Sequence, residues 1–104
     1  MNATQSYDAV LAALASHPEV SRSEKKGFGF GALMVRGKLF ASLRGEGLLL
    51  KLPAARVAML VASGEGDPFD ANKGRPMKEW VVLRPDAVTS WLEMASEALA
   101  FVGG

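Results

Sequence analysis

His17 is the chain's only histidine, and there is no cysteine. Thiol chemistry and zinc–thiolate sites are therefore excluded. His17 precedes Pro18 at the end of a helical stretch, where a cation complements the helix dipole. No nucleophile or paired carboxylate lies near it in sequence. Ser63 stands in ASGEG rather than in a G-x-S-x-G turn, and reads as a helix C-terminus. Asp67, Asp70 and Asn72 have the composition of a calcium loop without its spacing. Counted from Asp70, the position of the bidentate acid falls on Val81. Turn formation accounts for all three. GFGFGALMVRGK is not a phosphate loop, because five residues separate Gly31 from Gly37 and neither Ser nor Thr follows Lys38. These residues predict no catalytic, cofactor or metal site, and a protein that is not an enzyme.

The cations are more informative. Lys73, Arg75 and Lys78 fall within six residues, near Phe69 and Trp80. Cations beside aromatics suit an anion or a nucleic-acid strand. Asp67, Asp70 and Glu79 offset them, as on a solvated loop. Arg36 and Lys38 lie on a hairpin, as do Arg44 and Lys51, where charge also keeps strand edges soluble. Lys73, Arg75 and Lys78, joined by Arg36 and Lys38, are the candidate nucleic-acid or anion contacts. KGFGF at 26–30 matches the start of the RNA-reading strand of an RNA recognition motif. Gly31 and Leu33 then break the signature, and the strand and helix that must precede it are missing. The segment reads as a glycine-hinged lead-in to the hairpin, with Phe28 and Phe30 as core anchors.

The elements that position these residues follow from periodicity. Residues 4–16 form an amphipathic helix with Tyr7, Val10, Leu11 and Leu14 on one face, ended by Pro18. Val20 to Ser23 is a short strand. ALMVRGKLFASLR is a hairpin turning at Arg36-Gly37, with glycine supplying the positive φ. Gly45 and Gly47 mark a second turn, and residues 48–52 form the next strand. Pro53 takes the first position of a helix that runs to about Ser63, with Val57, Leu60 and Val61 buried and Gly64 as its left-handed cap. Residues 64–78 lack periodicity and read as a long loop. WVVL at 80–83 is a buried strand. Pro85-Asp86 opens the last helix, lined by Val88, Trp91, Leu92, Ala95, Leu99 and Val102, and Gly103 closes it. Trp80 and Trp91 are read as core residues.

The expected fold is α+β: an antiparallel sheet of about four to five strands with flanking helices, in the order α-β-β-β-(β)-α-β-α. LLLKL and WVVL are apolar on both faces, so both faces need cover. Three short helices leave part of one face for a partner or a second subunit.

With 104 residues, 49% of them hydrophobic, the chain suits a single domain spanning 1–104. Its net charge of +1 gives no broad footprint for nucleic acid. No apolar run is long enough to cross a bilayer, and the N-terminus lacks the pattern of a signal peptide. A cytoplasmic protein without a membrane association is expected.

Several segments together resemble a known family: GALMVRGKLFASL at 31–43, LLLKLP at 48–53, GDPFD at 66–70, GRPMKEWVVL at 74–83 and EALAFV at 97–102. The chain looks like the TfoX N-terminal-domain-like family, related to the MmcQ/YjbR-like proteins. The likeness covers nearly the whole chain. Gly37, Lys38, Phe40 and Ala41, with GRPMKEW, are its most specific parts. It implies a small bacterial α+β domain with an antiparallel sheet and no established catalytic residues. TfoX proteins are associated with regulation of natural competence, and YjbR-like proteins are suspected of binding DNA. The related fold class includes chaperones that grip partner proteins. The expected function is a non-enzymatic regulatory or interaction domain that binds a protein partner or itself, without a cofactor. DNA binding through the basic loop 73–78 is the alternative, and an uncharacterised enzyme a distant third.

Overall fold

The β-pattern that begins at Ala32 builds the middle of the molecule. A computed structural model describes residues 3–22, 32–69, 78–85 and 90–103. Strands β2 (Leu33–Val35) and β3 (Lys38–Arg44) form the expected hairpin. Its two-residue turn is where expected, but Arg36, at φ 53°, is left-handed as well as Gly37, at φ 78°. Two left-handed central residues match the right-handed twist of the flanking strands. β4 (Gly47–Lys51) follows a turn at Gly45, and β1 (Val20–Arg22) pairs with β2 on its other side.

Helix α1 (Ala3–Leu14) precedes the sheet and buries Tyr7, Val10 and Leu14, the expected face. Helix α2 (Ala54–Ala62) starts one residue later than expected. Pro53 has ψ 145°, an extended value, and so caps the helix instead of opening it. The other end is a full Schellman closure. The Gly64 N–H donates to the Val61 carbonyl at 3.2 Å and the Glu65 N–H to the Leu60 carbonyl at 3.1 Å, with Gly64 at φ 82°.

The long loop expected over 64–78 contains a strand. β5 (Gly66–Pro68) pairs antiparallel with β6 (Trp80–Leu83), placing Gly66 opposite Leu83 and Pro68 opposite Val81. A Cβ on Gly66 would meet Val81 Cγ2 at 2.7 Å, so the close approach needs glycine. Pro68 is tolerated because β5 is the edge strand. Helix α3 (Trp91–Gly103) carries its cap at Ser90, whose Oγ accepts the Leu92 N–H at 3.2 Å. Its described start is thus later than Pro85-Asp86; Asp86 and Val88 lie outside the described residues. Met94 and Ala98 join Trp91 and Ala95 in the core, while Leu92, expected on the buried stripe, is exposed.

Among the described residues the fold is α+β, with three helices and one six-stranded antiparallel sheet in the order β1-β2-β3-β4-β6-β5. All three helices lie on one sheet face. Tyr7 and Val10 of α1, Val57 and Leu60 of α2, and Met94 and Ala98 of α3 share one core cluster with Leu33, Ala41, Leu48, Leu50, Val81 and Leu83. An ion pair ties the helix layer together: Arg56 donates to both Glu97 carboxylate oxygens, at 3.1 and 3.2 Å.

Gly47 was expected in a turn and is instead the first residue of β4. A Cβ there would lie 2.5 Å from Val82 Cγ1 and 3.0 Å from the Leu83 carbonyl oxygen. Gly47→Ala is expected to destabilise the fold by about 1–2 kcal/mol, overpacking being partly offset by lost unfolded-state entropy. Adding Val82→Ala removes the clashing methyl, so a double-mutant cycle in urea should show positive coupling. Additive losses would show that β4 and β6 do not meet at this register.

Candidate functional site

A surface suited to contact lies where β4 ends and α2 begins. Register places Lys51 opposite Trp80. The Leu52 N–H donates to the Glu79 carbonyl at 3.0 Å, which extends the pairing past the strand end. Lys51 Nζ sits 5.7 Å from the centre of the Trp80 ring. That is within reach of a cation–π contact. Trp80 is half-buried and outside the core cluster, contrary to the core role expected for it. Trp91 is a core residue, and its Nε1–H donates to the Arg84 carbonyl at 3.1 Å.

Among the described residues, Lys51, Ala54, Lys78, Glu79 and Trp80 line an open hollow of about 420 Å³. No side chain caps the start of α2, and its first turn holds no acidic residue. The positive end of the helix dipole therefore adds to the two ammonium groups, against one carboxylate. Ala54 and Lys78 also line a second groove, of about 470 Å³, running along α2. Val57, Ala58, Val61, Ala62 and Pro68 complete it. Among the described residues its walls are apolar apart from Lys78, and Ala54, Ala58, Ala62 and Pro68 are exposed. Ala54 and Lys78 line both, so the hollow beside Trp80 adjoins the groove, and the two are taken together as a trough, cationic where α2 begins and apolar along it.

The five cations singled out in the sequence meet different fates. Lys73 and Arg75 lie outside the described residues, as do Asp70, Asn72, Phe28 and Phe30. Lys78 is exposed and belongs to the trough. Lys38 is exposed beside the β2–β3 turn. Arg36 is ion-paired with Glu19 through Nε, and its Nη2 donates to the second carboxylate oxygen at 3.3 Å. Hydrogen bonding to Arg36, then its charge, holds the Glu19 carboxyl below its ordinary range. Arg36 thus already has an anion. His17, in the same 370 Å³ hollow as Glu19 and Arg36, accepts the Glu19 N–H on Nδ1 at 3.2 Å. Asp67 pairs with Arg84 at 3.0 Å, a role that spacing within the loop did not reveal.

The sheet face away from the helices is less open than LLLKL and WVVL implied. Leu49 is 1% exposed and Phe69 6%, yet both stand outside the core cluster. The Phe69 and Trp80 rings lie 6.4 Å apart, and the Arg44 guanidinium carbon is 4.9 Å from the centre of Phe69. The chain's own Phe69 therefore helps cover this face. The large exposed hydrophobics among the described residues, Met59, Leu92 and Phe101, are on helices instead.

Sequence reading passed over Ala54, Ala58 and Pro68. The signal was present in AARVAMLVA, where Arg56 is the only charged residue. A helix apolar nearly all round has a second surface to cover.

Among the described residues, no three of His, Cys, Asp or Glu gather closely enough to hold a metal ion, and no helix is long and apolar enough to cross a membrane. No protein-family model matches the chain, and the comparisons with curated proteins and solved structures returned no match.

Proposed function

We propose that this protein is a non-enzymatic interaction domain and that it binds a protein partner through the trough along α2. The observation that carries this reading is the groove itself. Exposed Ala54, Ala58, Ala62 and Pro68 and half-buried Val61 present apolar surface on the outside of a helix whose inner face, with Val57 and Leu60, is already packed. Such a surface gains from being removed from water, and a row of alanines lets a partner approach closely. The resemblance to the TfoX N-terminal domain supports the same reading, since that family brings a bacterial regulatory role and no catalytic residues. A cytoplasmic location accords with it.

A photo-crosslinking residue placed at Ala58 tests the reading in cells. A discrete protein adduct is expected at position 58 and none at Ala12, which is exposed on α1. Ala58→Gln fills the groove with a polar side chain of good helix propensity. It should abolish the adduct formed from a crosslinker at neighbouring Ala62 while leaving the circular dichroism unchanged. Equal labelling at positions 58 and 12 would remove the case for a docking surface.

A further inference from the structure

We infer that the trough takes an acidic amphipathic helix of a partner protein, its aliphatic side chains along α2 and Pro68 and its carboxylates on Lys51 and Lys78. This rests on the reading of the groove as a docking surface and adds the chemistry of the occupant.

Charge complementarity comes first. Lys51 and Lys78 flank the end of the groove where α2 begins, and among the described residues Glu79 is the one acid lining that hollow. Arg56, the single charge on α2, is occupied by Glu97 and does not compete. The Lys51 ammonium is held over the Trp80 ring, which limits its freedom before any ligand arrives. A basic partner would meet both ammonium groups and the uncapped helix end, at a cost in like-charge repulsion.

Shape then selects a helix. The groove is open along one side, as the exposure of Ala54, Ala58 and Ala62 shows. Its occupant must keep a face in water, which a wholly apolar ligand does not. Pro68 on the adjoining edge strand has no N–H, and β5 is three residues long, so strand addition gains few hydrogen bonds there. The nine residues of α2 span roughly 13 Å, which matches two to three turns of an apposed helix. An apolar stripe at i, i+3, i+4 and i+7 is what such a surface reads.

The probe is a stapled, fluorescein-labelled helical peptide of about four turns, with leucines at that spacing and glutamates clustered at one end. Fluorescence anisotropy should show binding, with the counterpart carrying lysine for glutamate about tenfold or more weaker. The Lys51→Glu, Lys78→Glu double variant should reverse that preference, and Ala58→Gln should weaken both peptides. Equal binding of the two peptides, or a preference that survives charge reversal, overturns the acidic partner; the groove reading then stands if Ala58→Gln still weakens binding. Failure of every peptide, with the position-58 crosslink still forming, also overturns it and leaves the groove reading intact. Loss of that crosslink as well sinks both. Displacement of the acidic peptide by a single-stranded oligonucleotide would assign the lysines to nucleic acid. Concentration-dependent dimerisation abolished by Ala58→Gln would assign the groove to a second copy of the chain.

Discussion

Phe40→Ala is expected to lower the unfolding free energy by about 3–5 kcal/mol, the range for truncating a buried aromatic side chain. Phe40 is fully buried and belongs to the core cluster. Its position depends on an irregularity in β3. Met34 pairs with Leu39 and Leu33 with Ala41, so Phe40 is the extra residue of a bulge. Regular alternation would send Phe40 and Ala41 to opposite faces. The bulge lets both enter the core beneath the helices. Truncation leaves a cavity that backbone held on both sides by β2 and β4 cannot easily close. A domain of this size has about 5–15 kcal/mol in all, so the variant should unfold at a much lower urea concentration with an unchanged slope. Phe40→Leu, which keeps most of the volume, should cost under about 1.5 kcal/mol. Near-equal losses in the two variants would show that the ring is not packed as described.

The second large effect is a loss of stability in alkali. Tyr7 is the chain's only tyrosine and is 6% exposed. Burial pushes its phenol from 10.0 up to about 12, against the opposing pull of the Arg22 charge and a hydrogen bond with the Leu33 backbone. In the unfolded chain the phenol titrates near its ordinary value. Between the two values the native state keeps a proton that the unfolded state has released, so stability falls as pH rises. The contribution is fully present below pH 10 and is gone once the pH passes about 12. Two pKa units correspond to about 2–3 kcal/mol. The comparison that isolates Tyr7 is wild type against Tyr7→Phe. Their stability difference should change steeply across this window and stay flat below it. Phenolate absorbance in the ultraviolet should appear together with unfolding; its appearance in a still-folded protein would mean the ring is accessible.

Much of this structure was legible because it is local. The α1 face of Tyr7, Val10 and Leu14, the Arg36-Gly37 turn and the Gly64 cap depend on residues within a few positions of one another. Periodicity and backbone preference are enough to place them. The hairpins likewise required antiparallel pairing of β2, β3 and β4. The trough was half legible: Lys78 was singled out, while Ala54, Ala58 and Pro68 carry no chemistry that marks them alone.

What tertiary structure decided lies in contacts between distant segments. GDP at 66–68 has no alternation and poor strand propensity, and becomes β5 only because β6 offers it a ladder. WVVL looked like surface awaiting a partner until Phe69 folded beside Trp80. Arg36 looked like a free cation until β1 brought Glu19 to it. By itself the sequence determined the described helices, the strands other than β5, their polarity and the absence of cysteine chemistry. Which charges remain free, which apolar face is already covered and where cations meet a groove depend on through-space distances. Those are set by register and packing, which no local pattern encodes.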